Sequence, residues 1–571
     1  MTMTGAVRVH TEYPRPQLER ASYLNLNGVW DFARGAKGEK PEYREKIVVP
    51  FSPETRACGI GDFVLQPDGE IHYRTSFVLP DGFVRDRVFL HFGAVDYECI
   101  CRVNGREAGT HRGGFLPFFF DITALLSGRE NVLELDVTDP TDTGTQARGK
   151  QKLDRGGIWY TPQSGIWQTV WIESVPADYV RGLSITTDID SETVTIDVDS
   201  IGKSVRVRVY DGPELVGESD SARAVISMNG RAHWSPENPK LYDVVVTTAE
   251  DEVRSYFGMR KFSIGFDGKY RRLFLNNKPY FHKGLLDQGY WTDGLLTPPD
   301  DASVVRELEL VKRLGFNMLR KHIKVEPLRW YYHCDRLGLL VWQDLVCGGG
   351  PYKFLKVAAL PFLGFRFSDR NYRFMGRTDR AGREEFERDM RDTVAALRNS
   401  VSLAMWVPFN EGWGQFDSVR ISAELARLDP TRTIDSVSGW HDQGPRSSEI
   451  KSLHTYYTKL KVPAREKRVV VLSEFGGYSL PVAGHVFDAK KLFGYKIFQD
   501  RESLAAAYRK LVEERLLPLI ARGLSASVYT QLSDVEEEIN GLVTFDRAVA
   551  KFDEAFVREL NDRLVIPDGN E

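Results

Sequence analysis

The chain has 571 residues, enough for about three or four domains. Hydrophobic residues make up 42% and charged residues 27%, an ordinary balance for a globular protein with several cores. The formal net charge of −4 leaves no basic surplus for holding nucleic acid or an anionic membrane surface, so neither is expected as a partner.

The first residues, Met1 to Gln17, carry Arg8, His10, Glu12 and Arg15. They lack the ~7–15-residue apolar stretch of a secretory signal, and no ~20-residue apolar span follows anywhere. The expectation is therefore a cytoplasmic protein. The five cysteines are Cys58, Cys99, Cys101, Cys334 and Cys347. Their number is odd and their neighbours are apolar. Cys99-Ile100-Cys101 is too tight for the usual zinc spacing and has no His pair after it, so reduced core cysteines are expected.

Residues 1–178 read as all-β. Short apolar segments such as Val29–Phe32, Arg87–Phe92 and Asn131–Val137 alternate with Gly, Asp, Asn and Pro turns. Asn104-Gly105 carries the signature of a tight hairpin. This pattern predicts a jelly roll or sandwich. Residues 179–264 contain Thr193–Val198 and Val205–Val209, which alternate with period two and predict an immunoglobulin-like β-sandwich.

From residue 265 to 571 the pattern changes to alternating strands and helices. Strands are predicted at Phe281–Gly284, Asn317–Arg320, Leu339–Asp344, Leu403–Phe409, Ile434–Val437, Ser452–Tyr456, Val469–Ser473 and Ala526–Gln531. Helices are predicted at Ser303–Leu314, Pro327–Leu337 and Arg383–Arg398. Repeated βα units of this kind imply a parallel (β/α)8 TIM barrel.

In such a barrel the reactive groups sit where the strands end. Two apolar strands end in carboxylates: Asn410-Glu411-Gly412-Trp413 after one, Glu474-Phe475-Gly476-Gly477 after another. A Glu set against a buried strand is costly unless it is paired or used. One such Glu alone is more often a structural ion pair, but two, each followed by glycine and aromatics, suit acetal cleavage. That reaction needs an acid at the leaving oxygen and a nucleophile below the ring, ~5–5.5 Å apart when configuration is retained.

Longer motifs extend this reading. Leu26–Phe32, Gly113–Phe118 with Asp121-Ile122-Thr123, Ser164–Gln168, Phe257–Arg260 and Asn317–Arg320 occur in one order along the chain. In that order they resemble glycoside hydrolase family 2, the family of β-galactosidases, β-glucuronidases and β-mannosidases. The resemblance spans nearly the whole chain. It implies Glu411 as acid/base, Glu474 as nucleophile and Asn410 on the sugar's 2-hydroxyl. It further implies that Arg320 and either Tyr456 or Tyr457 orient the nucleophile, and that His454 faces the same pocket.

Other positions stay open between sugar binding and structure. Arg320, His322 and Lys324 alternate and could share one orientation, or form a basic loop. Asp344, Trp413, Trp440 with His441, and Asp287 with Gln288 follow strand ends: Asp344 could line the pocket, Trp413 and Trp440 could stack on a sugar face or pack in loops, and Asp287 and Gln288 could bond distal hydroxyls. The run Asp534-Val535-Glu536-Glu537-Glu538 is expected to be solvated.

The sequence also departs from the family. β-Glucuronidases of the family hold the sugar carboxylate with Asn-x-Lys-Gly, but Glu538-Ile539-Asn540-Gly541-Leu542 has no Lys. The metal ligands of large β-galactosidases are missing after Asp344, so no metal and no cofactor are expected. The family's strand-eight Trp position reads Tyr529, and His322 departs from the usual Arg-x-x-His. Trp342-Gln343-Asp344 is similar to the β-mannosidase form.

The expected activity is an exo-acting retaining glycosidase releasing a terminal neutral sugar from a glycoside or oligosaccharide, with β-galactosidase as first label. Galactofuranosidase, arabinosidase or β-mannosidase activity is the alternative, and a non-catalytic carbohydrate-binding protein the distant one. Gly348 to Arg377 is expected to be a lid or an interface loop, or equally an irregular insertion packed on the barrel, with a homo-oligomer as one way to close the pocket.

Overall fold

A computed structural model describes residues 9–202, 204–353 and 360–567. Near the N-terminus, a six-stranded antiparallel sheet and a four-stranded sheet enclose one core. Trp30, Phe32, Ile71 and Leu133 come from the first sheet; Leu90, Phe92, Val170 and Ile172 come from the second. The hairpin between Glu98–Val103 and Arg106–Arg112 turns at Asn104 and Gly105, both with positive φ, as its two-residue loop requires.

A three-stranded and a four-stranded sheet follow as the immunoglobulin-like sandwich. Val194, Ile196, Val207 and Val244 from their inner faces share a core. The alternation seen in the sequence is thus the alternation of buried and outward residues.

The barrel strands are β1 (His282–Asp287), β2 (Met318–Lys321), β3 (Leu340–Asp344), β4 (Leu403–Val407), β5 (Thr433–Ile434), β6 (Ile450–Thr455), β7 (Val469–Gly476) and β8 (Leu524–Thr530). They pair in parallel in the order β5-β4-β3-β2-β1-β8-β7-β6. All eight overlap the segments expected from hydrophobic runs, the fifth only at Ile434. The ring is nearly closed. Across the β5–β6 gap, Ser448 Oγ donates to the Ile434 carbonyl (2.8 Å), and the Ser438 and Ser452 hydroxyls lie 3.5 Å apart.

Helices α1 (Asp301–Arg313), α2 (Leu328–Leu337), α3 (Arg380–Leu397) and α4 (Ser418–Leu428) follow β1 to β4. The Asp300 side chain accepts from Ser303 N (2.6 Å) and caps α1. No helix among the described residues separates β5 from β6 or β6 from β7, so the βα repeat is broken there. At the end where the strands begin, a small sheet plugs the barrel. Its Leu273 and Leu275 pack with Met318, Leu340, Met405 and Val528, and its Arg272 donates to the Leu524 carbonyl. The other end is left for chemistry.

The jelly roll does not stand apart. Phe115, Tyr160 and Trp167 are buried in the same core as barrel residues Leu319, Phe409 and Leu532. Its segment 139–164 runs to the mouth of the barrel with almost no regular structure. Among the described residues no helix is long and apolar enough to cross a membrane.

Candidate active site

Arg320 on β2 is fully buried and organises the mouth. Its guanidinium takes both oxygens of Asp344 from β3 (3.0 and 2.9 Å). It also donates to Glu474 Oε1 (3.1 Å), the Ser473 carbonyl (3.1 Å) and Asn410 Oδ1 (2.8 Å). A guanidinium only donates, so the Asn410 oxygen must face Arg320. Asn410 Nδ2 is then left buried without a partner among the described residues.

Glu411 sits just beyond β4, where its backbone N–H donates to the Ser438 carbonyl (2.9 Å) and its φ is +50°. The next residue also has positive φ, and a Cβ there would come within 2.4 Å of the His441 ring. Only glycine fits, and the turn it permits aims Glu411 into the mouth. His454 at the end of β6 stands between the two carboxylates. Its Nδ1 lies 2.7 Å from Glu411 Oε1 and 3.6 Å from Glu474 Oε2, and its Nε2 2.9 Å from Ser438 Oγ. Tyr456 donates its hydroxyl proton to Glu474 Oε2 and stacks on Tyr495 at 3.9 Å. Ligand atoms of Glu411, His454 and Glu474 all lie within 4.8 Å of one another. A metal ion placed there would have to compete with the bonds from Arg320 and Tyr456 to Glu474.

The two carboxyls differ in proton affinity. Burial raises the Glu411 carboxyl, and the Glu474 charge adds to the rise against the His454 hydrogen bond. Burial would raise Glu474 too, but the charges of His454 and Arg320 and the Tyr456 bond outweigh it and bring it down to about 2. One group holds its proton while its neighbour is ionised.

The remaining expected residues fall into two groups. His322 is buried beside the pair, with Nδ1 2.8 Å from Asp344 Oδ2, and burial lowers it to about 4. Asp344 therefore positions Arg320 and His322. Trp413 is buried against Trp159 (5.2 Å), Tyr352 (5.8 Å) and His322 (6.3 Å), with its Nε1 unpartnered among the described residues. Trp440 lies 6.4 Å from His454. Of the two tyrosines after β6, Tyr456 makes the contact with Glu474, while Tyr457 is 66% exposed.

Three expectations need correction. Asp287 is not free for a distal hydroxyl: Lys321 takes one oxygen (2.5 Å) and the Gly289 N–H the other (2.8 Å). Lys324 does not join Arg320 and His322, because its ammonium turns to Glu326 and to the Gly289 and Leu296 carbonyls. The acidic run is buried. Asp534 pairs with Lys551, Glu537 with Arg155, Glu536 accepts from Thr161 N, and Glu538 accepts from the Tyr160 hydroxyl. Three of these partners, Thr161, Tyr160 and Arg155, lie 375, 378 and 382 positions away in sequence.

Gln288 belongs to an amide chain, Gln288–Gln531–Asn540–Glu538, with links of 2.8, 2.7 and 2.9 Å. Tyr529 packs edge-on against Phe475 and Tyr508. The described parts of the 348–377 segment touch the jelly roll and the loop after β5. Gly349 N donates to Thr145 of the jelly roll, and Phe367 stacks on Phe374 beside His441. Residues 354–359, within the expected lid or interface, lie outside the described residues.

Sequence reasoning missed Lys150, Trp159 and Tyr160. The available signal was the length of segment 139–164, since loops beyond ~12–15 residues are usually functional. A separate cavity of about 530 Å3 lies between the three domains, lined by His91, Phe119, Trp171 and Asp389, away from this cluster.

Comparison with known proteins agrees with the geometry. Residues 65–168 match the glycosyl hydrolase 2 galactose-binding domain-like profile, 179–260 the glycosyl hydrolases family 2 profile, and 269–501 the family's TIM barrel domain. A β-glucuronidase of Paenibacillus borealis is 25% identical over 472 residues, 74% of each chain. A β-galactosidase of Thermoanaerobacter pseudethanolicus is 24% identical over 451 residues, 72% of this chain but 54% of that protein. Other relatives named β-galactosidase are likewise matched over about a third of their length or less. The solved β-D-glucuronidase of Dictyoglomus thermophilum superposes with a TM-score of 0.75 over 97% of this chain and 99% of that one, at 21% identity, a likeness of fold. With all three profiles matched in order and the barrel carrying two strand-end carboxylates, the chain belongs to glycosyl hydrolase family 2 and is a glycosidase of that family.

Proposed function

We propose that the protein removes one terminal sugar from the end of a glycoside by a double displacement that retains configuration. Glu474, ionised and held by Arg320 and Tyr456, attacks the anomeric carbon. Glu411, protonated by virtue of its burial, gives its proton to the leaving oxygen. A covalent glycosyl-Glu474 ester results. Glu411, now a base, takes a proton from water, which attacks the same carbon and releases the sugar. Asn410 Nδ2, the buried unpartnered donor beside the pair, bonds the 2-hydroxyl. The observation that carries this reading is the approach of the two carboxyls to within 4.8 Å with opposite shifts in proton affinity. An inverting pair needs ~6.5–9.5 Å to admit a water.

The sugar is read as neutral, with a β-galactoside first. The wall after β8 is acidic, with Glu536, Glu537 and Glu538 buried there, and 538–542 has no lysine for a uronate. A uronide is the second reading, favoured by the relative named β-glucuronidase and by the buried Lys150 ammonium.

A panel of nitrophenyl pyranosides, furanosides and uronides tests the sugar. Product anomer by NMR tests the stereochemistry: retention is expected, and inversion would overturn the double displacement. Glu474→Ala should lose about 10⁴-fold or more in kcat, as removal of a nucleophile does elsewhere. Added azide should not restore the natural anomer. A Glu474→Ala variant keeping most of its activity would sink the assignment.

A further inference from the structure

We propose that Lys150, supplied by the jelly-roll domain, is a substrate-binding residue whose ammonium donates to an oxygen of the terminal sugar. This rests on the glycosidase reading above. Five lysines are buried among the described residues: Lys150, Lys321, Lys324, Lys451 and Lys551. Four of them pair with carboxylates: Lys321 and Lys324 with Glu326, Lys451 with Asp442, Lys551 with Asp534. Lys150 has no such partner among the described residues. Among the described residues its ammonium makes one hydrogen bond, a long one of 3.5 Å to the Tyr160 hydroxyl. Burying an ammonium without a counter-charge is expensive, and the cost is rational where a ligand will complete its bonding.

Its position fits that role. The ammonium lies 5.9 Å from the Trp413 ring and 5.2 Å from the Tyr160 ring. Trp413 follows Glu411 by two residues and abuts His322. A narrow cleft is lined by Lys150, Gln288 and His322 together. Lys150 also sits close enough to Glu411 for its charge to oppose the rise of that carboxyl.

The backbone holds it there. Arg148 N and Gly149 N both donate to the Cys347 carbonyl after β3 (2.9 and 3.0 Å). The Arg148 guanidinium donates to the carbonyls of Gly349 and Gly350. Gly149 has φ +60°, and a Cβ on it would stand 3.0 Å from the Ile323 carbonyl. This loop thus approaches the barrel as closely as a glycine allows, and the next side chain lands at the mouth.

The ligand is an electron-rich sugar oxygen, either a hydroxyl of a neutral sugar or the carboxylate of a uronate. Lys150→Met keeps the apolar stem and removes the charge; Lys150→Arg restores it. Both are compared with wild type across the glycoside panel, with thermal midpoint and pH profile measured alongside. Lys150→Met should lower kcat/KM about 10–100-fold on the accepted glycoside, mainly through KM, as loss of a charged donor does. Lys150→Arg should recover part of it, and the midpoint should hold. The basic limb of the profile should move to higher pH, because a positive charge near Glu411 has gone. A loss shared by neutral sugars identifies a hydroxyl; a loss confined to uronides identifies the carboxylate. A variant within two-fold of wild type on every accepted sugar overturns the proposal alone. A wild type inactive on the whole panel overturns it together with the glycosidase reading.

Discussion

Arg320 and Lys321 are adjacent on β2, yet they anchor two clusters of opposite character. Lys321 faces Asp287 and Glu326, which in turn hold Lys324 and the Gly289 N–H, and its ammonium lies 4.4 Å from the Trp330 ring. Arg320 holds Asp344, Glu474 and Asn410, but that cluster ends in loose bonds. Asn410 Nδ2 and Trp413 Nε1 are buried with no acceptor among the described residues. A charged cluster whose donors are all answered stabilises; one that keeps donors in reserve is prepared for a ligand. Neighbouring residues on a strand point to opposite sides, so one step along β2 separates the two tasks.

Substitutions can break or sharpen this contrast. The largest effect is expected from Arg320→Met. It strips the counter-charge from Asp344 and Glu474, so activity should vanish, and stability should fall by about 3–5 kcal/mol as for other broken buried pairs. Denaturant melts and kinetics check both. A stable, active Arg320→Met would show that the two clusters are alike.

Glu411→Gln should come next. It should cost about 10²–10⁴-fold in kcat on glycosides with poor leaving groups and far less in the first step with a nitrophenol. It should also remove the basic limb of the pH profile. Glu411 must carry its proton to act, and its affinity is raised, so wild-type activity falls as pH rises through that raised value. The acid limb belongs to Glu474 at about 2 and lies below the working range. A basic limb unchanged in Glu411→Gln would assign it to another group.

Lys321→Met is expected to affect activity least. It should cost about 3–5 kcal/mol of stability, yet leave kcat on any accepted glycoside near wild type once the protein is folded. A ten-fold drop in kcat at full folding would mean that its cluster reaches the chemistry.

How much of this was legible follows from the range of each interaction. The barrel strands and both carboxylates could be read because an apolar run and the residue ending it are neighbours in sequence. Tyr456 against Tyr457 could not be decided, since the choice depends on where β6 ends its twist. The acidic run after β8 looked solvated because its partners Arg155, Tyr160 and Lys551 are invisible to a local window. Lys150 and Trp159 were missed for the same reason: a loop without periodicity announces only its length, not its destination. Lys324 was misjudged because alternation stops where the strand stops, at Lys321.

The bond between Tyr160 and Glu538 joins residues 378 positions apart, one in the jelly-roll loop and one beyond the last barrel strand. During synthesis the loop carrying Lys150 and Tyr160 is made long before its acceptor exists. The mouth of the barrel can therefore take its final shape only after β8 has been delivered. A nascent chain halted before that point would possess Glu411 and Glu474 but not the wall above them. Delivery of β8 with the acidic run behind it, and completion of the barrel mouth, are in this architecture the same event.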